Sequence, residues 1–219
     1  MGNKLNLKEH WNNLYLDKDL KKVSWHQDKP SLSLDLISMS SMNRNTKILD
    51  VGAGDSTLVD NLLGIGYRNL GILDISETAI EITKERLGNK AQEVEWFISD
   101  ATRFQSPHLW DIWHDRAVFH FLTEDYERKA YMECMESSLS DDATAIIGTF
   151  GPEGPTQCSG LSCKRYGIED MAEWIGSAFS IEHHQVVEHK TPRNVVQQFI
   201  FFLLKRTGET IGSDRQSFE

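Results

Sequence analysis

The sequence is poor in features that would staple it, anchor it or draw it to a polyanion. It holds three cysteines, Cys134, Cys158 and Cys163, an odd count without framework spacing. That excludes a disulfide scaffold and suits a reduced compartment. The longest uninterrupted apolar run, Phe199 to Leu204, is far too short to cross a bilayer. Met1 to His10 is polar and lacks the apolar core of a signal peptide. Asn6 stands where a myristoylation signal beginning Met1-Gly2 needs Ser or Thr. The expectation is a cytoplasmic protein. No lysine or arginine run offsets 23 basic against 33 acidic side chains, a net charge of −10. Neither a nucleic-acid backbone nor an anionic membrane is therefore an expected partner. A small molecule or a protein surface is. Internal repeats and a domain linker are absent too.

What is present is ordinary globular composition, with 39% hydrophobic and 26% charged residues over 219 positions. That length suits one α/β domain with a full core. The chain is organised around Ile48-Leu49-Asp50-Val51-Gly52-Ala53-Gly54-Asp55-Ser56. It reads as a buried strand, Lys47 to Val51, entering a glycine turn that opens a helix at Ser56 or Thr57. Glycine lets a backbone turn sharply and approach a ligand closely, and a helix start presents unpaired N–H groups there. The third glycine of G-x-G-x-x-G is missing, Thr57 holding that place.

Around this turn, apolar spacing predicts helices over Leu5–Leu16 and Leu32–Met39, the latter with Leu32, Leu36 and Met39 on one face. Trp25 between them reads either as core or as the wall of a ligand pocket. Thr57–Ile65 reads as a helix with Leu58, Leu62 and Ile65 inward. Asn69–Ile75 reads as a second strand, and a helix capped by Ser76 buries Ala79, Ile80, Thr83 and Leu87. Strands at Val94–Ser99, Trp110–His114 and Ala143–Phe150 follow, with a helix over Thr123–Ser138. That alternation argues a parallel, doubly wound sheet. The rhythm then breaks into a Gly/Pro/Ser/Cys loop, Gly151–Arg165, and a short helix, Ile168–Ile175. Two strands, Phe179–His189 and Val196–Arg206, lie too close for a crossover and form an antiparallel hairpin. Seven strands result. The expected organisation is one domain over 1–207, with helices and a lid in 1–45, a core in 46–150 and a substrate loop with the hairpin in 151–207. A polar tail follows over 208–219.

Three strands in succession end in an acid: Asp50, Asp74 and Asp100, the last followed by Ala101. In an open α/β sheet ligands bind outside the carboxyl ends of the strands. These acids then share one edge with the glycine turn, where Asp74 suits ribose hydroxyls and Asp100 an exocyclic amine. The bland alternative is that each acid serves the positive end of the helix after it.

With those residues in place, the chain resembles a class I S-adenosylmethionine-dependent methyltransferase from about Trp11 to Arg206. The resemblance rests on the D-x-G-x-G turn (Asp50, Gly52, Gly54), Asp74, the Asp100-Ala101 pair and the final hairpin. Within that class it is similar to a bacterial group with Val-Ser-Trp-His-Gln near the start, Trp-His-Asp-Arg-Ala-Val-Phe-His-Phe-Leu in the middle and Cys-Ser-Gly-Leu later. That group is distantly similar to the citrate synthase and elongation factor lysine methyltransferases of eukaryotes. The resemblance implies S-adenosylmethionine as cofactor. Gly52, Ala53 and Gly54 would cradle its methionine part, with Asp50 bracing the turn and the amino group, and Trp25 and Ser56 nearby. Asp74 would hold the ribose, Ile75 would pack on adenine, and Asp100 and the Ala101 N–H would meet the ring. His114 would line the methionine end mainly through its backbone.

For the acceptor, His26, Asp115, Arg116, His120, Tyr166 and His189 stand where it would enter, and histidine moves its proton most easily near neutrality. Arg116 could clamp a carboxylate, but pairing with Asp115 or a nearby Glu is the first expectation. Cys158 reads as packing. Metal binding is not expected, since His183 and His184 point to opposite faces of a strand. The acceptor reads as a small molecule, with a protein lysine as the alternative. Two further alternatives are a nicotinamide-dependent oxidoreductase and a non-catalytic cofactor-binding partner. The missing third glycine, the Asp100-Ala101 pair and the lack of Tyr-x-x-x-Lys at Tyr131 and Tyr166 argue against the oxidoreductase.

Overall fold

The computed structural model describes residues 6–17 and 23–209. The expected helix start at Leu5 and the tail beyond Glu209 lie outside them. Seven strands form one sheet: β1 (Lys47–Val51), β2 (Asn69–Asp74), β3 (Val94–Ile98), β4 (Trp110–Arg116), β5 (Leu139–Phe150), β8 (Phe179–Lys190) and β9 (Val196–Arg206). Their order is β3-β2-β1-β4-β5-β9-β8. The pairs β3–β2, β2–β1, β1–β4 and β4–β5 are parallel, while β5–β9 and β9–β8 are antiparallel. The expected doubly wound, mostly parallel sheet with an antiparallel terminal pair is therefore the observed fold. Strand order reverses between β1 and β4, and the switch point opens there.

Period-two alternation splits the side chains between the sheet's two faces. Ile48, Ile72, Ile112, Phe199 and Phe201 share one core with α2 (Ser31–Ser40), α3 (Leu58–Gly64) and α4 (Glu77–Leu87). Leu49, Val51, Trp113, Ile147, Ile200 and Phe202 share the other with α5 (Asp125–Ser138) and α6 (Ile168–Ile175). Strand β9 lies between β5 and β8 and is apolar on both faces, which explains its unbroken apolar run.

Three local expectations are corrected. In α2 the buried side chains are Ser33, Leu34, Leu36 and Ile37, and Met39 is exposed. In α3, Leu58, Val59, Leu62 and Leu63 are buried and Ile65 is exposed. In both helices adjacent residues share the buried stripe, and Met39 near the end of α2 and Ile65 just past the end of α3 reach solvent. Within the 151–165 loop, β6 (Gln157–Cys158) and β7 (Leu161–Ser162) form a small antiparallel pair. Its turn carries Ser159 and Gly160 at positive φ. The buried face of α4 is as expected, capped by Ser76 Oγ accepting from Ala79 N at 3.1 Å.

Helix α1 (Leu7–Asp17) crosses to this N-terminus. Asn12 Oδ1 accepts from Ser76 Oγ at 2.8 Å and from Thr78 N at 3.3 Å. The amino-terminal segment is thereby laid over the carboxyl ends of the strands.

Candidate active site

A cavity of about 370 Å³ opens at those strand ends. Its floor comes from β1, β2 and β3 on one side and from β4, β5 and β9 on the other. Its roof is aromatic: Trp11 packs edge-on against Trp25 at 6.2 Å and Phe121 at 5.3 Å, and Tyr15 meets Trp25 at 6.4 Å. Trp25 is thus cavity wall, with its indole N–H donating to Asp55 Oδ1 at 3.4 Å.

The glycine turn is built for close approach. Gly52 and Gly54 sit at φ +61° and +55°. A Cβ on Gly54 would lie 2.1 Å from Tyr15 Oη, and one on Gly52 would lie 2.0 Å from Val118 Cγ2. The turn is held from behind by α4. Thr83 Oγ1 donates to the Gly54 carbonyl at 2.9 Å. Arg86 donates to the carbonyls of Asp55 and Ser56 at 2.8 and 2.7 Å and pairs with Asp60 at 2.9 Å. Ser56 Oγ accepts from Leu58 N at 3.1 Å, so this serine helps cap α3.

The three strand-end acids all line the cavity. Asp74 accepts from Gly54 N at 2.8 Å and Ser76 N at 2.7 Å, and burial pushes its carboxyl up to about 6. Each oxygen keeps a lone pair for a ligand hydroxyl. Asp100 Oδ1 accepts from the backbone and hydroxyl of Thr102, both at 2.8 Å. Asp50 Oδ1 accepts from His114 Nδ1 at 2.7 Å, and His114 Nε2 takes the Ser33 hydroxyl at 2.9 Å. His114, expected to act through its backbone, instead fixes Asp50 with its ring. Asp50 Oδ2 is buried with no hydrogen-bond partner among the described residues. Ile75 and Ala101 complete this side.

On the other side the sequence expectations divide. Adjacent strand residues face opposite ways, so Arg116 and Asp115 do not pair. Asp115 turns into the far core, where Val118 N, Phe119 N and the Tyr131 hydroxyl donate to it at 2.8, 3.1 and 2.6 Å. It does not line the cavity, and it braces the turn after β4. Arg116 donates to the Trp25 carbonyl at 2.9 Å and lies 5.6 Å from the centre of the Phe199 ring. Burial brings its guanidinium down to about 10, still charged at neutral pH. His120 is fully buried and stacked on Phe150 at 4.2 Å, with neither ring nitrogen bonded. Burial and the neighbouring Arg116 push it down to about 3, so the ring is neutral. His189 is removed from the cavity, its Nε2 donating to the Ser24 carbonyl at 2.6 Å. Tyr166 packs on Phe119 and borders a separate hollow. His26 stays at the rim, with Nε2 3.2 Å from Asp28. Cys158 lines the cavity 4.0 Å from Ser24 Oγ. Among the described residues no group of three His, Cys, Asp or Glu could hold a metal ion, and no helix is long and apolar enough to cross a membrane.

Residues 48–141, which span the glycine turn and all three acids, match the family described as a methyltransferase domain. That stretch carries a methyltransferase domain, and the sheet around it has the Rossmann-like methyltransferase fold. Along 96% of its length the chain is 24% identical to the eEF1A lysine and N-terminal methyltransferase of Bos taurus, of which it covers 30%. It thus spans less than a third of that relative. Among solved structures it superposes with a TM-score of 0.77 and 15% identity on one determined in work on the conversion of a disulfide bond into a thioacetal group during echinomycin biosynthesis, covering 96% of both chains. It superposes at 0.70 and 14% identity on the N-methyltransferase NodS of Bradyrhizobium japonicum in complex with S-adenosyl-L-homocysteine, covering 93% of this chain and all of that one. At such identities the likeness carries the fold. The donor set of the cavity fits S-adenosylmethionine, because the unpartnered Asp50 oxygen suits an ammonium and Asp74 suits a diol.

Several lining residues escaped the sequence reading. Trp11 and Tyr15 read only as one face of an amphipathic helix, and Phe199 only as strand core. Their aromatic i,i+4 spacing beside Trp25 was the available signal for the roof. Nothing local marks Arg86 or Thr83 as holding the turn.

Proposed function

We propose that this protein transfers a methyl group from S-adenosylmethionine to a small-molecule nucleophile. The observation that carries this reading is the buried, unpartnered Asp50 Oδ2 beside the glycine turn, in line with Asp74 and Asp100 along one sheet edge. Burial without a partner is costly for a carboxylate oxygen, and a ligand cation there removes the cost. When bound, the cofactor supplies a methyl already activated on a sulfonium. Such a methyl would be open to in-line transfer to a lone pair of the acceptor, and the residues that would hold the cofactor are Asp50, Asp74 and Asp100. The protein's task is to align the two and exclude water. Tyr15, Trp11 and Trp25 close the top, Asp74 and Asp100 fix the adenosine, and the β4–β9 side receives the acceptor.

A protein lysine or amino terminus is the second reading, favoured by the names of the curated relatives. The acidic chain would attract a basic target, but the cation at the acceptor side favours the small molecule.

Calorimetric titration with S-adenosylhomocysteine, with NADH as control, tests the cofactor. Binding of the adenosyl ligand alone is expected, weakened about a hundredfold in Asp74→Ala, which removes the acceptor of two backbone N–H groups and of the diol. NADH binding in its place would promote an oxidoreductase.

A further inference from the structure

The cavity is electrostatically divided, and the division follows strand order. The acids Asp50, Asp74 and Asp100 stand at the ends of β1, β2 and β3. Arg116 ends β4, and its guanidinium leans away from those strands toward Phe199 on β9, two strands further along the sheet. Among the described residues lining the cavity it is the one lysine or arginine. It makes no ion pair with any described residue, and its hydrogen bond to the Trp25 carbonyl uses one of five donors. Beside it His120 is wholly buried with both ring nitrogens unbonded, and it too lines the cavity. The rest of this half is mainly apolar, with Phe121, Phe150, Phe199, Leu161 and Cys158, joined by the polar Ser162 and Gln197; Glu127 lines the cavity from α5.

A neutral buried imidazole without partners is costly unless something meets it, and the half-buried guanidinium beside it keeps open donors toward the cavity. A lone positive charge in an apolar pocket matches one negative charge, and the planar fork of arginine matches a carboxylate. We propose that the methyl acceptor is a small carboxylate with an apolar body, its charge seated on Arg116 and a second polar group hydrogen-bonded to His120. The carboxylate acts as a handle that orients the acceptor. Phe199 and Phe121 pack the body, and His120 sets the position of the polar group. A lysine side chain would place a second cation beside Arg116, which this half opposes. The inference rests on the methyltransferase reading and assigns its acceptor class.

The test loads the protein with S-adenosylhomocysteine and titrates benzoate, phenylacetate and hexanoate against their primary amides, which match them in shape but carry no charge. At least one carboxylate is expected to bind tenfold or more tightly than its amide. Arg116→Gln should abolish that preference, and Arg116→Lys should keep only part of it. Both variants should bind S-adenosylhomocysteine within about twofold of the parent, which also reports on folding. Equal binding of acids and amides by the parent protein would overturn the carboxylate handle without recourse to a variant. So would a preference that survives Arg116→Gln. Binding of inorganic phosphate that is lost in Arg116→Gln, with no binding of any of the carboxylates, would likewise overturn it in favour of a phosphorylated acceptor. Failure of S-adenosylhomocysteine to bind would overturn the methyltransferase reading and this inference with it.

Discussion

The two halves of the cavity are built to different standards. Over β1–β3 almost every polar group already has a partner: Asp74 holds two backbone N–H groups, Asp100 holds Thr102, and His114 joins Asp50 to Ser33. Arg86 and Thr83 pin the turn carbonyls. The exception is one oxygen of Asp50. Over β4–β9 the reverse holds, with His120 bare at both nitrogens and Arg116 tied by a single bond. A half that is satisfied before ligand arrives is preorganised, so its ligand binds without reordering the protein. A half with bare buried groups gives up stability for the sake of what it binds.

The largest effect that would sharpen this contrast is at His120. In His120→Phe an unbonded buried ring is replaced by one that can stack on Phe150. Thermal or urea unfolding should show a gain of about 1 kcal/mol at pH 7.5. The imidazole is near 3 in the folded protein, below its unfolded value of about 6.5. Its contribution to stability is therefore fully present above pH 6.5 and lost as pH falls toward 3. The variant's advantage should widen to roughly 3 kcal/mol at pH 5. No gain at either pH would mean that His120 finds partners within the protein.

Next comes Asp50→Asn, which keeps an oxygen for His114 but removes the charge facing the cavity. Its affinity for S-adenosylhomocysteine should fall about thirtyfold by calorimetry, the worth of one charge-assisted bond. Unchanged affinity would break the assignment of this half to a cationic ligand group. Arg86→Ala is expected to lower stability by about 1 kcal/mol in urea titrations and to weaken the cofactor only a few-fold, because the turn it clamps is also held by Thr83. The smallest effect belongs to Ala117, which follows Arg116 at φ +81°. Ala117→Gly should raise the unfolding free energy slightly, by about a few tenths of a kcal/mol in urea titrations, relieving backbone strain against glycine's entropy.

Legibility in the sequence followed the same division. The acids of the first half and the glycine turn lie directly after short apolar strands, so local pattern places them on one sheet edge. The sheet's alternation and its antiparallel end were equally readable. The second half is made by tertiary contacts that no local pattern encodes. Phe199 reaches the cavity because β9 inserts between β5 and β8. Arg116 escapes Asp115 because β4 runs two residues further than Trp110–His114 and turns them to opposite faces. His189, plausible as a base by type, is consumed by the Ser24 carbonyl, 165 positions away in sequence. Trp25 stood open between core and wall because its neighbours, Trp11 and Tyr15, come from a helix whose docking depends on Asn12.

The central claim is that the cavity is partitioned along the sheet, cofactor over β1–β3 and acceptor over β4–β9. A crystal structure with S-adenosylhomocysteine bound tests it most directly. The account predicts ribose hydroxyls on Asp74, the amino group on Asp50 and the sulfur directed at β4, with Arg116 touching no part of the ligand. An adenosyl group lying over Phe199, or a ligand carboxylate seated on Arg116, would contradict it.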